Sequence, residues 1–225
     1  MEKRDVYLDN AATSHPKPEC VLTAMRAALT GFNANPGRSG HRRSLEAARA
    51  VLAAREAVAA VLGACDPFCV AFAFNCTDAL NLAIKGALRT GDHVISTLLE
   101  HNSVLRVLAE KLRREEIELT LLTPQPDGFV DPEDVRGALR KNTRLIAVTH
   151  ASNVTGAIQP VAAIGQVTRE AGVPFLVDGA QALGSMPGDV NALNCQLYAF
   201  PGHKGLLGPQ GTGGLYIDAA VDLQP

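Results

Sequence analysis

The apolar segments of this chain come as short, nearly unbroken runs, and a helical pattern separates most neighbouring pairs. The runs cover residues 69–74, 93–97, 144–149, 173–177 and 196–200, with further strand-like stretches at 118–122 and 213–217. Strands with such continuous apolar character are covered on both faces. Helices between them imply crossover connections, and crossovers imply a mostly parallel sheet. Helical patterns span residues 18–29, 44–62, 77–88, 103–114 and 161–171. Gly63 stops the second, and Asp131-Pro132 opens a further one with a capping carboxylate and a proline in the first turn. The expected fold is a three-layer α/β/α domain with a mostly parallel sheet of about seven strands. With 225 residues the chain is long enough for one large core. No internal repeat, low-complexity tract or Pro/Gly/Ser-rich linker marks a second domain.

Several function classes are disfavoured. The formal net charge of −2 argues against an extended nucleic-acid surface. Arg42-Arg43 and Arg113-Arg114 lie in helical stretches and read as solvated faces. No apolar run approaches a membrane span, and Glu2-Lys3-Arg4-Asp5 lacks the apolar core of a signal peptide. The five cysteines, Cys20, Cys65, Cys69, Cys76 and Cys195, are odd in number and scattered, which suits a reducing cytoplasm. Cys65 and Cys69 flank Asp66-Pro67, but no second pair completes a metal site. They read as small apolar side chains at a helix-to-strand junction. No GxGxxG turn follows the first strand, which disfavours an ordinary dinucleotide-binding domain.

In open α/β sheets ligands bind outside the carboxyl ends of the strands, and the residues there are the polar ones. Asn75-Cys76-Thr77-Asp78, Glu100-His101-Asn102-Ser103, His150-Ala151-Ser152-Asn153, Asp178-Gly179-Ala180-Gln181 and Pro201-Gly202-His203-Lys204 each follow a strand. The first opens a helix, whose free N–H groups favour an anion; its plainer reading is an N-cap by Thr77. Asp178 ends a buried strand and needs a partner, either a structural ion pair or cap, or a protonated heterocyclic nitrogen. Lys204 sits among glycines, which let backbone approach a ligand closely. A lysine in a loop is usually solvated, but in a dry pocket it can form a Schiff base. His101, taken alone, is a cap or a packed histidine. A metal held by His101, His150, His203 and Asp178 leaves Lys204 without a role, so none is expected.

The segments Tyr7-Leu8-Asp9-Asn10-Ala11-Ala12-Thr13-Ser14, Asn35-Pro36-Gly37-Arg38-Ser39-Gly40-His41, Thr77-Asp78-Ala79-Leu80-Asn81 and Glu100-His101-Asn102-Ser103-Val104 form an ordered set. Ser152-Asn153-Val154-Thr155-Gly156, Asp178-Gly179-Ala180-Gln181, Gly202-His203-Lys204-Gly205 and Gly208-Pro209-Gln210-Gly211 complete it. With them the chain resembles the cysteine desulfurase and selenocysteine lyase branch of the class V aminotransferases, which have the type I pyridoxal-phosphate fold. The resemblance implies pyridoxal phosphate on Lys204, Asp178 on the pyridine nitrogen and Gln181 on the ring oxygen. It implies His101 stacked on the ring, Cys76, Thr77 and His203 at the phosphate, and Asn153 near the ring oxygen and the substrate carboxylate. Asn10 and Ala11 line the substrate pocket in the same comparison, and the strand at 213–217 runs antiparallel. Lys204, His101 and Asp178 are the expected catalytic residues.

The implied reaction removes sulfur from L-cysteine, giving alanine and a persulfide, in a homodimer that passes sulfur to an acceptor protein. Selenocysteine lyase chemistry, another class V lyase reaction and a non-catalytic cofactor-binding remnant are the alternatives. Pro201 stands where many relatives have a hydroxyl residue, and the Cys76 thiol is a weak donor; both imply looser phosphate binding. The family continues into a small C-terminal domain with a nucleophilic cysteine loop and an arginine for the substrate carboxylate. Residues 1–225 are therefore expected to be the cofactor-binding large domain, with an N-terminal arm over 1–35, without that small domain and without persulfide turnover of their own.

Overall fold

The computed structural model describes residues 6–38 and 40–224. Ser39 of the Asn35-to-His41 segment, the first five residues of the N-terminal arm, and Pro225 lie outside the described residues.

Helix α1 (Glu19–Ala27) runs into a wider helical turn over Ala28–Phe32. Helix α2 (Arg42–Leu62) is capped by His41, whose Nδ1 accepts from the Ser44 N–H at 3.2 Å. Then follow β1 (Val70–Ala73), α3 (Cys76–Ala87), β2 (Asp92–Thr97), α4 (Asn102–Arg113), β3 (Ile117–Leu122) and α5 (Pro132–Gly137). The chain continues through β4 (Thr143–Thr149), α6 (Val161–Ala171), β5 (Phe175–Asp178), β6 (Leu197–Pro201) and β7 (Gly213–Ile217). The seven strands form one sheet in the order β1-β7-β6-β5-β4-β2-β3. Only β7 runs against its neighbours.

The central strands are buried on both faces because consecutive side chains feed two separate cores. Ile146 and Val148 of β4, Phe175 and Val177 of β5, and Tyr198 and Phe200 of β6 pack with α2, α5 and α6. Leu145, Ala147, Leu176, Leu197 and Ala199 point the other way and pack with α3 and α4. The edge strands are less covered: Phe72 and Leu121 remain exposed. Strand β5 starts two residues later than its apolar run. Gly172 takes a left-handed φ of 66° to end α6, and the Val173 N–H turns back to Thr168 O at 3.0 Å, so the ladder begins at Phe175. Strand β1 is likewise shorter than its run, since Pro67–Cys69 forms a helical turn capped by Asp66.

From β2 the chain moves outward to β3, then returns to β4 on the other side of β2. The crevice outside the carboxyl ends of β2 and β4 is therefore a topological switch point, where an open α/β sheet binds its ligand.

Candidate active site

A cavity of about 420 Å³ opens at those carboxyl ends. Cys76 and Thr77 reach it from the start of α3, His101 from the β2–α4 turn, and Asp178 from the end of β5. His203 and Lys204 enter from the loop after β6, Asn153 from the turn after β4, Gln181 from the stretch after β5, and Ala11 from the N-terminal segment. Asn10 does not line it. Its carboxamide oxygen accepts from the His15 N–H at 3.1 Å and closes a local turn.

Asp178 is 3% exposed. Its Oδ1 accepts from the Ala180 N–H at 2.9 Å and from the Cys76 thiol at 3.5 Å. Its Oδ2 has no partner among the described residues. Burial pushes the carboxyl pKa up, while these two donors and the charges of His101 and Lys204 oppose the rise. The Cys76 thiol thus turns inward to Asp178, while the residue still lines the cavity. Burial and the neighbouring carboxylate push that thiol well above its usual range.

The helix start is capped by Asn75, not Thr77: Asn75 Oδ1 accepts from the Asp78 N–H at 2.8 Å. Asp78 answers by accepting from the Phe74 N–H at 3.2 Å, a reciprocal capping box. The amides of Cys76 and Thr77 have no acceptor within the helix and stay available for an anion.

His101 is both a cap and a cavity wall. Its Nδ1 accepts from the Ser103 N–H at 3.2 Å and meets Ser103 Oγ at 2.8 Å, which places a neutral ring's proton on Nε2. Before it stands Glu100, which the sequence did not single out from its cluster. Glu100 Oε1 accepts from Thr97 Oγ1 at 2.7 Å and from the Thr149 N–H at 2.9 Å. This carboxyl ties the turn that carries His101 to the end of β4.

The lysine loop is packed backbone to backbone. A Cβ on Gly205 would collide with the Leu183 carbonyl oxygen, so only glycine fits there. Lys204 Nζ has no hydrogen bond among the described residues. His203 Nδ1 lies 3.1 Å from Thr13 Oγ1, and burial, then Lys204 and Lys17, lower its pKa. Gln181 donates an amide N–H to Ala11 O at 3.1 Å. Asn153 is exposed at a turn that Ser152 Oγ holds by accepting from the amides of Val154 and Thr155. His150 stays apart, buried with Nδ1 at 3.1 Å from Tyr198 Oη. Among the described residues no group of three or more His, Cys, Asp or Glu is placed to hold a metal ion.

Fold and site together define a doubly wound α/β/α domain built around a loop lysine and a buried aspartate at the switch point. The family model for class V aminotransferases matches residues 6–225, and the chain belongs to that family. It is 38% identical over 220 residues to the cysteine desulfurase IscS of Pectobacterium atrosepticum, covering 96% of this chain and 54% of that one. A probable cysteine desulfurase of Methanothermobacter thermautotrophicus is 39% identical over 98% of this chain and 55% of its own. Among solved structures, SspA in complex with cysteine superposes with a TM-score of 0.91 at 34% identity, covering 98% of this chain and 64% of that one. The apo cysteine desulfurase from Thermococcus onnurineus NA1 gives 0.91 at 33% identity, over 98% and 56%. The chain spans about half the length of the curated relatives it matches.

Proposed function

We propose that this chain forms the pyridoxal-phosphate-binding part of a cysteine-desulfurase-type enzyme, with Lys204 as the cofactor lysine. The carrying observation is a buried carboxylate with one oxygen unpartnered and a lysine amine without a hydrogen bond, both at the wall of one cavity. These residues fit the cofactor. A protonated ring nitrogen would complete Asp178 Oδ2, and a buried anion with a raised pKa gains most from such a cation. The free amides at the start of α3, the Thr77 hydroxyl and His203 suit a phosphate. Pro201 offers no hydroxyl, and Thr212 Oγ1 donates to Pro209 O at 2.6 Å instead.

Bound here, pyridoxal phosphate supplies the electron sink for chemistry at an amino acid's Cα. Lys204 would hold the cofactor and, once freed by the substrate amine, move the proton at Cα. Asp178 would keep the ring nitrogen charged. His101 and Asn153 would border the substrate. Cysteine as substrate is supported by the relatives' activity and by the cysteine complex of a neighbour; selenocysteine has the same recognition groups. The thiol that accepts sulfur is not among this chain's pocket residues. Cys76 is turned to Asp178, Cys195 is buried with its pKa pushed up to about 12, and Cys20, Cys65 and Cys69 do not line the cavity. A homodimer, a protein sulfur acceptor and a cytoplasmic location belong to the same reading. Among the described residues no helix is long and apolar enough to cross a membrane.

Borohydride reduction after incubation with pyridoxal phosphate, followed by peptide mapping, tests the reading. The label is expected on Lys204. A label on another lysine, or none, overturns it.

A further inference from the structure

Four donors converge on one backbone carbonyl, that of His203, the residue before Lys204. They are the Ser14 N–H at 3.1 Å, the hydroxyls of Thr13 and Ser14 at 3.1 Å each, and the Lys17 ammonium at 2.6 Å. Lys17 Nζ also donates to Ser14 Oγ at 2.6 Å. Because that hydroxyl accepts from Lys17, the ammonium organises the cluster rather than sitting at its rim. Among the described residues no carboxylate pairs with Lys17. Its charge is directed instead at the peptide from which the next residue's side chain departs. A charged donor makes a stronger hydrogen bond than the neutral ones beside it.

The rest of the loop is held by its own backbone, through Gly202 N–H to Thr212 O at 2.8 Å and Leu207 N–H to Lys204 O at 2.8 Å. The carbonyl of His203 is tied instead to the N-terminal segment. The same N-terminal segment is anchored a second time, where Ala11 O accepts from Gln181. Lys17 itself does not line the cavity, so it acts on the site only through the loop.

We infer that Lys17 is a positioning residue for Lys204. It latches the segment over residues 9–17 to the His203 carbonyl and so fixes the peptide that presents the lysine. The inference rests on the reading of Lys204 as the cofactor lysine.

The test uses the full chain and its K17M and K17R variants. Hydrogen–deuterium exchange without cofactor reads the latch, and borohydride trapping at timed intervals reads the rate at which pyridoxal phosphate attaches to Lys204. In K17M, exchange is expected to rise in both residues 9–17 and 202–206, with attachment slowed roughly tenfold, the scale set by a lost charged hydrogen bond. K17R keeps charged N–H donors and is expected to recover most of the rate. Unchanged exchange at 202–206 in K17M overturns the inference. So does a looser loop with an unchanged attachment rate, and so does a K17R variant as slow as K17M. If the parent chain is never labelled at Lys204, the proposed function fails, and the exchange arm alone decides whether the latch exists.

Discussion

Glu100 is 6% exposed, and its Oε2 has no hydrogen-bond partner among the described residues. Burial is the main cause that lifts its pKa to about 8, against the help its other oxygen receives from Thr149 and Thr97. The raised pKa favours the protonated carboxyl at pH 7 in the folded chain, whereas the unfolded chain, near the ordinary 4.5, has it ionised. A raised acid binds more protons folded than unfolded, so its contribution to stability is complete below the unfolded pKa of 4.5 and lost as pH rises to about 8. His93, His150 and His203 have lowered pKa values and act oppositely, but only up to their ordinary value of 6.5. Between pH 7 and 8 these histidines no longer oppose the fall that Glu100 contributes. Glu100→Gln keeps the shape, and its carbonyl can still accept from Thr149. Urea melts at pH 7, 7.5 and 8, above the histidine window, are expected to show stability falling in the parent and nearly flat in the variant. Parallel pH profiles would show that Glu100 is ionised in both states. The sequence placed Glu100 in a polar cluster but gave it no role, because its partner Thr149 lies 49 residues away on another strand.

Elements were more legible than contacts between them. The apolar runs disclosed the strands, since burial on both faces leaves no polar alternation, and the polar residues after each run disclosed the cavity wall. Boundaries slipped where a backbone amide was taken by something other than the ladder, as at Val173 and at Cys69. The direction of a side chain at a helix start was not legible either: Asn75 rather than Thr77 forms the cap, and Cys76 turns to Asp178, 102 residues away. Lys17 meets His203 across 186 residues, a pairing that no local pattern encodes. The glycines were legible as glycines but not as contacts. At Gly205 the obstacle to a side chain is the Leu183 carbonyl, which is backbone and cannot swing aside. Gly205→Ala therefore forces the loop off the 183–185 turn. It is expected to cost about 1–3 kcal/mol, read as a lower urea midpoint, and to slow attachment of pyridoxal phosphate to Lys204. An unchanged midpoint together with unchanged attachment would show that the loop tolerates the extra carbon and is not held as closely as the backbone contact implies.

At the scale of the whole molecule, the cavity is assembled from segments far apart in sequence: residues 9–12, 75–77, 101–103, 149–153, 178–181 and 201–204. They meet only because a sheet with a core on each face sets the strand ends side by side. An unfolded chain keeps Lys204 and so keeps its amine chemistry, but it has none of the surrounding groups. A ligand held by the whole constellation binds the folded state and stabilises it by mass action, about 2.7 kcal/mol at a concentration 100 times its Kd. For a domain of this size each kcal/mol raises Tm by roughly 2–4 °C. Saturating pyridoxal phosphate is therefore expected to raise Tm by roughly 5–10 °C. Lys204→Ala removes the covalent link but leaves Asp178 and the start of α3, so a smaller rise is expected there. Inorganic phosphate engages the helix start alone and should give the smallest rise of the three. Differential scanning calorimetry on parent and variant separates these terms. Equal shifts in the parent and in Lys204→Ala would show that the lysine adds nothing to binding. Equal shifts with phosphate and pyridoxal phosphate would show that only the helix start is recognised, and that the buried Asp178 does not meet the ring.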